Sequence, residues 1–325
     1  MCLLWACLLR VSRSTSCFSP VSCSSWAAAA RRCNRWVLGV LAAAVAAGTA
    51  PGSSVRAAPG PRRITTDGRR KQDLAWSPDG RLLACSLYHT AGQIGVALFD
   101  PAGRLVRLLS TDPVEMAPAW SPDGKRLAFV HVTHSGTDGE LDIHEMDLEG
   151  KTRRPVIEER KAFDMYPSWS PDGRQLLFTT TRDRTQEIYV SRADGTAPRR
   201  LTSDPSLKQH PCWSPDGKEI AFNSNRDGNF DIYTLDIEGQ NLLRLTRERA
   251  SDTWPAWSPD GRHIAFVSRR DGNPEVYVMN RDGAGARNLS RAPGFDDCPA
   301  WMPDGRTLTW VSDRDGGWDV YVLQP

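Results

Sequence analysis

The sequence lacks acid at one end. No Asp or Glu occurs before Asp67, and residues 1–58 carry six arginines (Arg10, Arg13, Arg31, Arg32, Arg35 and Arg56). With those six set aside, 35 basic residues face 39 acidic ones. A mildly acidic body argues against nucleic acid as a partner, because that affinity rests on neutralising phosphates. Cysteine is also scarce where it would matter. Of the eight, Cys2, Cys7, Cys17, Cys23 and Cys33 lie in the acid-free segment, and only Cys85, Cys212 and Cys298 follow. Three widely spaced cysteines are not a disulfide framework, and no C-x-x-C pair exists for zinc, so burial must hold the fold. No apolar run reaches the roughly 20 residues of a membrane-spanning helix. The chain has no G-x-S-x-G elbow, no P-loop, no dinucleotide fingerprint and no H-E-x-x-H pair. Its D-G turns do not have the spacing of an EF-hand.

The acid-free segment has its own order. Arg31, Arg32 and Arg35 precede an apolar run from Trp36 to Ala47. Small residues follow, and Val55-Arg56-Ala57 before Ala58-Pro59 resembles a cleavage site. A basic region, a short apolar region and a small-residue site make a secretory signal. Residues 1–58 are therefore expected to be a targeting segment and linker, with residues 59–325 the folded domain. An uncleaved segment would instead tether the protein to a membrane. The expected location is periplasmic or secreted.

What the sequence has in quantity is a repeat. W-S-P-D-G begins at Trp76, Trp120, Trp169, Trp213 and Trp257, and W-M-P-D-G at Trp301. The spacings are 44, 49, 44, 44 and 44 residues. Each unit reads as four short strands. In the unit at Trp213, Pro211-Cys212-Trp213 runs into the turn Ser214-Pro215-Asp216-Gly217. Pro presets one turn dihedral and Gly accepts the left-handed one. Strands at Glu219–Phe222, Asp231–Leu235 and Leu243–Thr246 follow, separated by Asn225-Arg226-Asp227-Gly228 and Asp236-Ile237-Glu238-Gly239. The second strands are nearly continuous in apolar residues, as in a sheet covered on both faces. Six units of four strands predict an all-β, six-bladed propeller with four-stranded antiparallel blades.

The ends predict how the ring closes. The last unit stops at its third strand, Asp319–Leu323. Ile64 lies 12 residues before Trp76, as Leu201, Leu245 and Leu289 lie before Trp213, Trp257 and Trp301. A strand around Ile64 should therefore complete blade 6 beside Tyr321 and remove two open sheet edges.

The pattern P-x-W-S-P-D-G, I-A-F, R-D-G-x-x-D-I-Y, R-L-T resembles the propeller of the TolB family over about residues 62–325. TolB proteins carry an additional α/β domain before the propeller, and here only the signal-like segment and a short linker precede Arg63. The resemblance implies a periplasmic platform within a Tol-Pal-type envelope assembly. Its implied partner is an envelope protein of the peptidoglycan-associated lipoprotein kind. The resemblance does not imply an enzyme, and the expected state is a monomer.

In a propeller, the connections between blades share one face with the loops between second and third strands. Five residues before each repeat Trp stand Lys71, Glu115, Asp164, Lys208, Asp252 and Asp296. They would ring the channel mouth, where they could hold a cation, meet a partner or bond local loop backbone. Three residues before each Trp stand Asp73, Ala117, Tyr166, His210, Trp254 and Cys298. Tyr166, His210 and Trp254 come from consecutive blades and could form a patch for a protein or a sugar. Partner or ligand contacts are thus expected at Tyr166, His210, Trp254, Glu115, Asp164, Asp252 and Asp296. No catalytic residue, cofactor or protein metal site is assigned. Arg182, Arg226, Arg270 and Arg314, each followed by Asp, are expected to make blade-to-blade ion pairs or anchor turns. His89, His131 and His134 cluster in the irregular blades 1 and 2, but strand alternation separates His131 from His134. Two alternatives to the protein-binding platform are a glycan- or small-ligand-binding propeller and a metal-dependent polysaccharide lyase or hydrolase.

Overall fold

The computed structural model of the chain describes residues 60–90, 93–110, 114–133 and 140–324. The signal-like segment 1–58 lies outside the described residues, as does His134. Every regular element described is a β-strand, and the strands form six four-stranded antiparallel sheets. Each sheet is one repeat. Blade 1 consists of Lys71–Trp76, Leu83–Thr90, Gln93–Phe99 and Leu105–Leu108. The other blades follow in chain order with Trp120, Trp169, Trp213, Trp257 and Trp301 ending their first strands. First strands contact one another in cyclic order, blade 6 against blade 1, so they are the inner wall of the ring.

The repeat motif explains this geometry. Ser77 Oγ accepts from the Leu82 N–H at 2.9 Å and donates to Asp79 Oδ1 at 2.7 Å, while Gly80 N–H closes the turn onto Ser77 O at 2.8 Å. Gly80 has φ +70°, which a side chain would resist. In four of the six repeats the Trp indole N–H then ties the blade to the one before. Trp120 Nε1 donates to Ala75 O at 3.0 Å, Trp213 Nε1 to Ser168 O at 3.2 Å and Trp301 Nε1 to Ala256 O at 3.2 Å. Between blades lie apolar layers, such as Leu177, Ile188 and Leu201 against Trp213, Ile220 and Phe222. A blade buries both faces only when it has two neighbours, so burial itself favours closure.

Closure follows the predicted route. Arg62–Arg63 is the fourth strand of blade 6, with Arg62 opposite Val322 and Arg63 opposite Tyr321. Ile64 N–H then reaches Val320 O at 2.8 Å. Thr65 Oγ1 donates to Asp319 Oδ1 at 2.8 Å and accepts from Val320 N–H at 2.8 Å. Thr202 makes the same pair of bonds to Glu187 and Ile188, and Thr246 to Asp231 and Ile232. The junction made from the two ends thus uses the same bonds as junctions within the chain.

Candidate functional site

The residue three places before each repeat Trp has a left-handed backbone in every blade. Asp73, Ala117, Tyr166, His210, Trp254 and Cys298 all have φ between 52° and 55°. The cause is a β-bulge. In each blade the pairing of first and second strands slips at this point, as between Met165 and Ser168. A bulky side chain in this conformation is unusual, and none of the six is glycine. The bulge re-aims these side chains along the inner wall.

In blades 3 to 5 they form one row. The Tyr166 and His210 rings lie 4.2 Å apart, and His210 stacks on Trp254 at 3.7 Å. His210 Nδ1 donates to Asn223 Oδ1 at 3.0 Å, and the same oxygen lies 3.4 Å from the Trp254 N–H. Burial holds His210 at about 4, so it is neutral at pH 7. Across blades 6 and 1 the same position carries different chemistry. Asp73 bonds Ser86 Oγ at 2.5 Å, and Ser86 in turn meets the Ala117 N–H at 2.9 Å. Beside it Asp297, just before Cys298, is raised to about 6 by burial. Burial also pushes the Cys298 thiol well up and the Cys85 and Cys212 thiols to about 12, so none is a ready thiolate.

The residues five places before each Trp do not stand open at a mouth. Lys71, Glu115, Asp164, Lys208, Asp252 and Asp296 are at most 1% exposed. The carboxylates are not bonded to loop amides; arginines hold them. Arg182 reaches Asp164 at 3.3 Å, Arg270 reaches Asp252 at 3.0 Å and Arg314 meets Asp296 at 2.9 Å. Arg153 pairs with Glu115. This corrects the expected blade-to-blade role of the Arg-Asp motif: each of these pairs lies within one blade. The arginines are clamped between rings, Arg270 lying 5.7 Å from Phe266 and 4.7 Å from Tyr277. The Asp of the motif anchors the turn, accepting from Tyr189 on Asp183 and from Tyr233 on Asp227. In this inner ring the links between blades are the lysines instead. Lys208 meets Glu187 of blade 3 at 3.1 Å, and Lys71 meets Asp319 of blade 6 at 3.5 Å. Both also bond nearby loop carbonyls, Lys71 at Arg69 and Lys208 at Ser206, as local bonding predicted.

In blade 2 the sequence insertion lengthens the second and third strands to eight residues each, Arg126–Thr133 and Glu140–Asp147. His131 lies there, stacked on His144 at 4.6 Å and with Nδ1 3.5 Å from Glu115 Oε1. His89 sits on the second strand of blade 1. Sequence reasoning missed Asn223, whose column is Ser in blade 1, and missed His144 with its neighbours Asp142 and Glu158.

Comparison with known proteins agrees with this geometry. The family described as TolB beta propeller domain matches residues 76–209, 108–253, 203–290 and 249–325. The Tol-Pal system protein TolB of Anaeromyxobacter dehalogenans strain 2CP-C is 34% identical over 100 residues, 31% of this chain and 22% of that protein. The match thus spans about a fifth of the curated relative. Among solved structures, a putative TolB from Agrobacterium tumefaciens aligns with TM-score 0.61 and 25% identity over 78% of this chain and 90% of that one. TolB from Acinetobacter baumannii gives 0.61 and 24% over 78% and 63%. An oligogalacturonate lyase from Vibrio parahaemolyticus, at 0.57 and 15% over 81% and 92%, shares the fold.

Proposed function

The chain belongs to the TolB β-propeller domain family, and from that premise we propose that it is an extracytoplasmic binding platform of the cell envelope, without catalytic activity. Its partner is an envelope protein of a Tol-Pal-type assembly, gripped at the end of the channel beside the row Tyr166, His210 and Trp254. The continuous row across three blades carries this reading. Rigid aromatic anchors at the centre of a surface supply most of an interface's affinity, because they bury area at little cost in side-chain entropy. The bulge fixes each of them before any partner arrives. The inner carboxylates support a binding role over a catalytic one. Asp164, Asp252 and Asp296 each have a dedicated arginine, an arrangement that holds charge in place rather than exchanging protons.

The test is affinity capture from detergent-solubilised envelope on the immobilised protein, with partners read by mass spectrometry. One envelope protein should be retained, and the double variant Tyr166→Ala, Trp254→Ala should retain roughly tenfold less or lower. Equal retention by the variant moves the interface elsewhere. A capture empty of protein, joined by binding to a glycan array, would replace the protein partner with a sugar.

A further inference from the structure

One blade breaks the rule by which this propeller satisfies its buried acids. At the start of the third strand, blades 3, 4 and 6 carry Glu187, Asp231 and Asp319. Each accepts from a hydroxyl 11 residues before the next Trp (Thr202, Thr246 or Thr65) and from a fourth-strand arginine (Arg200, Arg244 or Arg63). Blade 5 gives Glu275 the hydroxyl of Ser290, the amide of Asn273 and the Ala292 N–H. In blade 2 the acid is Asp142, and the donors its siblings use are gone. The hydroxyl position is Glu158. The residue opposite the third strand, where the arginine stands elsewhere, is Pro155. The tyrosine two places after the acid in blades 3 to 6 is His144.

The replacements converge. Asp142, His144 and Glu158 each bring one donor atom to within 4.8 Å of the others. Asp142 and His144 alternate on one strand and so share a face. Glu158 follows the fourth strand, Arg153–Ile157, where the chain leaves for blade 3. Asp142 is 3% exposed, and Thr133 Oγ1 approaches one of its oxygens at 3.2 Å. Among the described residues no lysine or arginine pairs with Asp142 or Glu158. Burial and the nearby charges of Asp164, Glu158 and Glu140 raise Asp142 to about 6. Two carboxylates with no lysine or arginine partner among the described residues, together with an imidazole within 4.8 Å, present the donor set of a first-row divalent cation.

We propose that Asp142, His144 and Glu158 form a binding site for a divalent cation of the zinc class, which ties the third strand of blade 2 to the segment leading into blade 3. The cation does there what arginine and hydroxyl do in the other blades. The site is separate from the aromatic row and stands independently of the binding role assigned to it.

The test uses the purified full chain, dialysed against chelator and titrated with Zn2+ by calorimetry, with bound metal counted by elemental analysis. About one equivalent should bind, and the thermal midpoint should rise with it. The informative variants restore the repeat: Glu158→Thr and His144→Tyr place in blade 2 what its siblings carry, so both are expected to fold. Glu158→Thr should weaken Zn2+ roughly tenfold or more, and His144→Tyr should abolish the midpoint rise. Without metal, Glu158→Thr should melt no lower than the parent, since it removes a charge facing Asp142. Failure to bind Zn2+, or equal affinity in parent and variants, overturns the proposal. A lower midpoint of metal-free Glu158→Thr also counts against it, since Glu158 would then serve the fold without a cation.

Discussion

Blades 3, 5 and 6 handle the charge at the start of the inner strand in one way, and blades 1 and 4 in another. In the first set, an Asp is closed within its own blade by a ring-clamped arginine. In the second, a lysine takes the same buried place and reaches back to the acid of the preceding blade. An aspartate four residues earlier, Asp67 or Asp204, completes each lysine's shell. Where Lys208 displaces the Asp, Arg226 has no inner partner and lies 3.9 Å from Asp204. The same backbone thus tolerates two closed charge circuits, one within a blade and one across a junction. The stapled junctions, 6 to 1 and 3 to 4, lie half a ring apart, and the first is where residues 62–65 meet the third strand of blade 6.

The largest effect should come from cutting that closing staple. Starting the chain at Lys71 removes Thr65, Arg63 and Asp67 and leaves Asp319, fully buried, with Lys71 alone. The loss should exceed about 5 kcal/mol, or abolish cooperative unfolding, since a buried charge loses partners while a sheet edge opens. An unchanged denaturation midpoint would mean that closure does not depend on this strand. At the other staple, Lys208→Met should cost about 2–3 kcal/mol by removing one buried partner of Glu187, which keeps Arg200 and Thr202. Lys208→Asp should cost less, by roughly 1–2 kcal/mol, because Arg226 can then turn in as Arg270 does on Asp252. That variant copies the junction of blades 4 and 5, where Asp231 and Asp252 each have an arginine. If Lys208→Asp proves worse than Lys208→Met, the two circuits are not interchangeable.

The bulge positions extend the comparison to pH. His210, held at about 4, takes up a proton more readily unfolded, where its value is near 6.5. Its contribution to stability is therefore present above about 6.5 and is lost as pH falls toward 4. Asp297, raised to about 6 beside Asp73 and facing Arg269 and Arg70, acts in the opposite sense. It holds a proton in the folded state that the unfolded chain releases near 4, so stability is gained as pH falls through 6. Each contribution, discounted for partial exposure, is roughly 1–3 kcal/mol. Between pH 7 and 4.5 these two contributions should thus largely offset each other. His210→Gln should gain stability relative to the parent on acidification. Asp297→Asn should exceed the parent at pH 7 and lose that advantage by pH 4.5. Urea midpoints at the two pH values decide, and parallel curves for all three proteins would reject both assignments.

The fold was legible because each blade repeats its own turn chemistry, and counting 12 residues back from a Trp found the closing strand at Ile64. The site was legible only as columns. Six unlike residues three places before each Trp gave no glycine to mark the left-handed turn, which arises from a slip in pairing that strand patterns do not carry. The inner ring of charge was visible, but its burial was not, because the arginines that neutralise it lie 18 residues further on. The blade 2 triad was hidden by the five extra residues in that unit, which displace Asp142 and His144 from their columns when counted forward. Counted back from Trp169, Glu158 falls in line with Thr65, Thr202, Thr246 and Ser290, and the exception stands out.

The smallest expected effect is the most exacting for the comparison. Arg226 shares its motif with Arg182, Arg270 and Arg314, so a reading from the motif alone would predict equal importance. In the structure Arg226 is exposed, with Asp204 at 3.9 Å as its ion-pair partner, and Lys208 already serves that aspartate at 3.1 Å. An exposed, poorly aligned pair adds little, because water screens it and two long side chains lose freedom to form it. Arg226→Ala should therefore change stability by no more than about 0.5 kcal/mol. The same substitution in the Lys208→Asp background should cost several times more, because there the arginine has an inner carboxylate to hold. A double-mutant cycle on unfolding free energies measures the difference directly. Zero coupling would show that the arginine does not turn inward, and that the two circuits are fixed by more than the residue at the start of the inner strand.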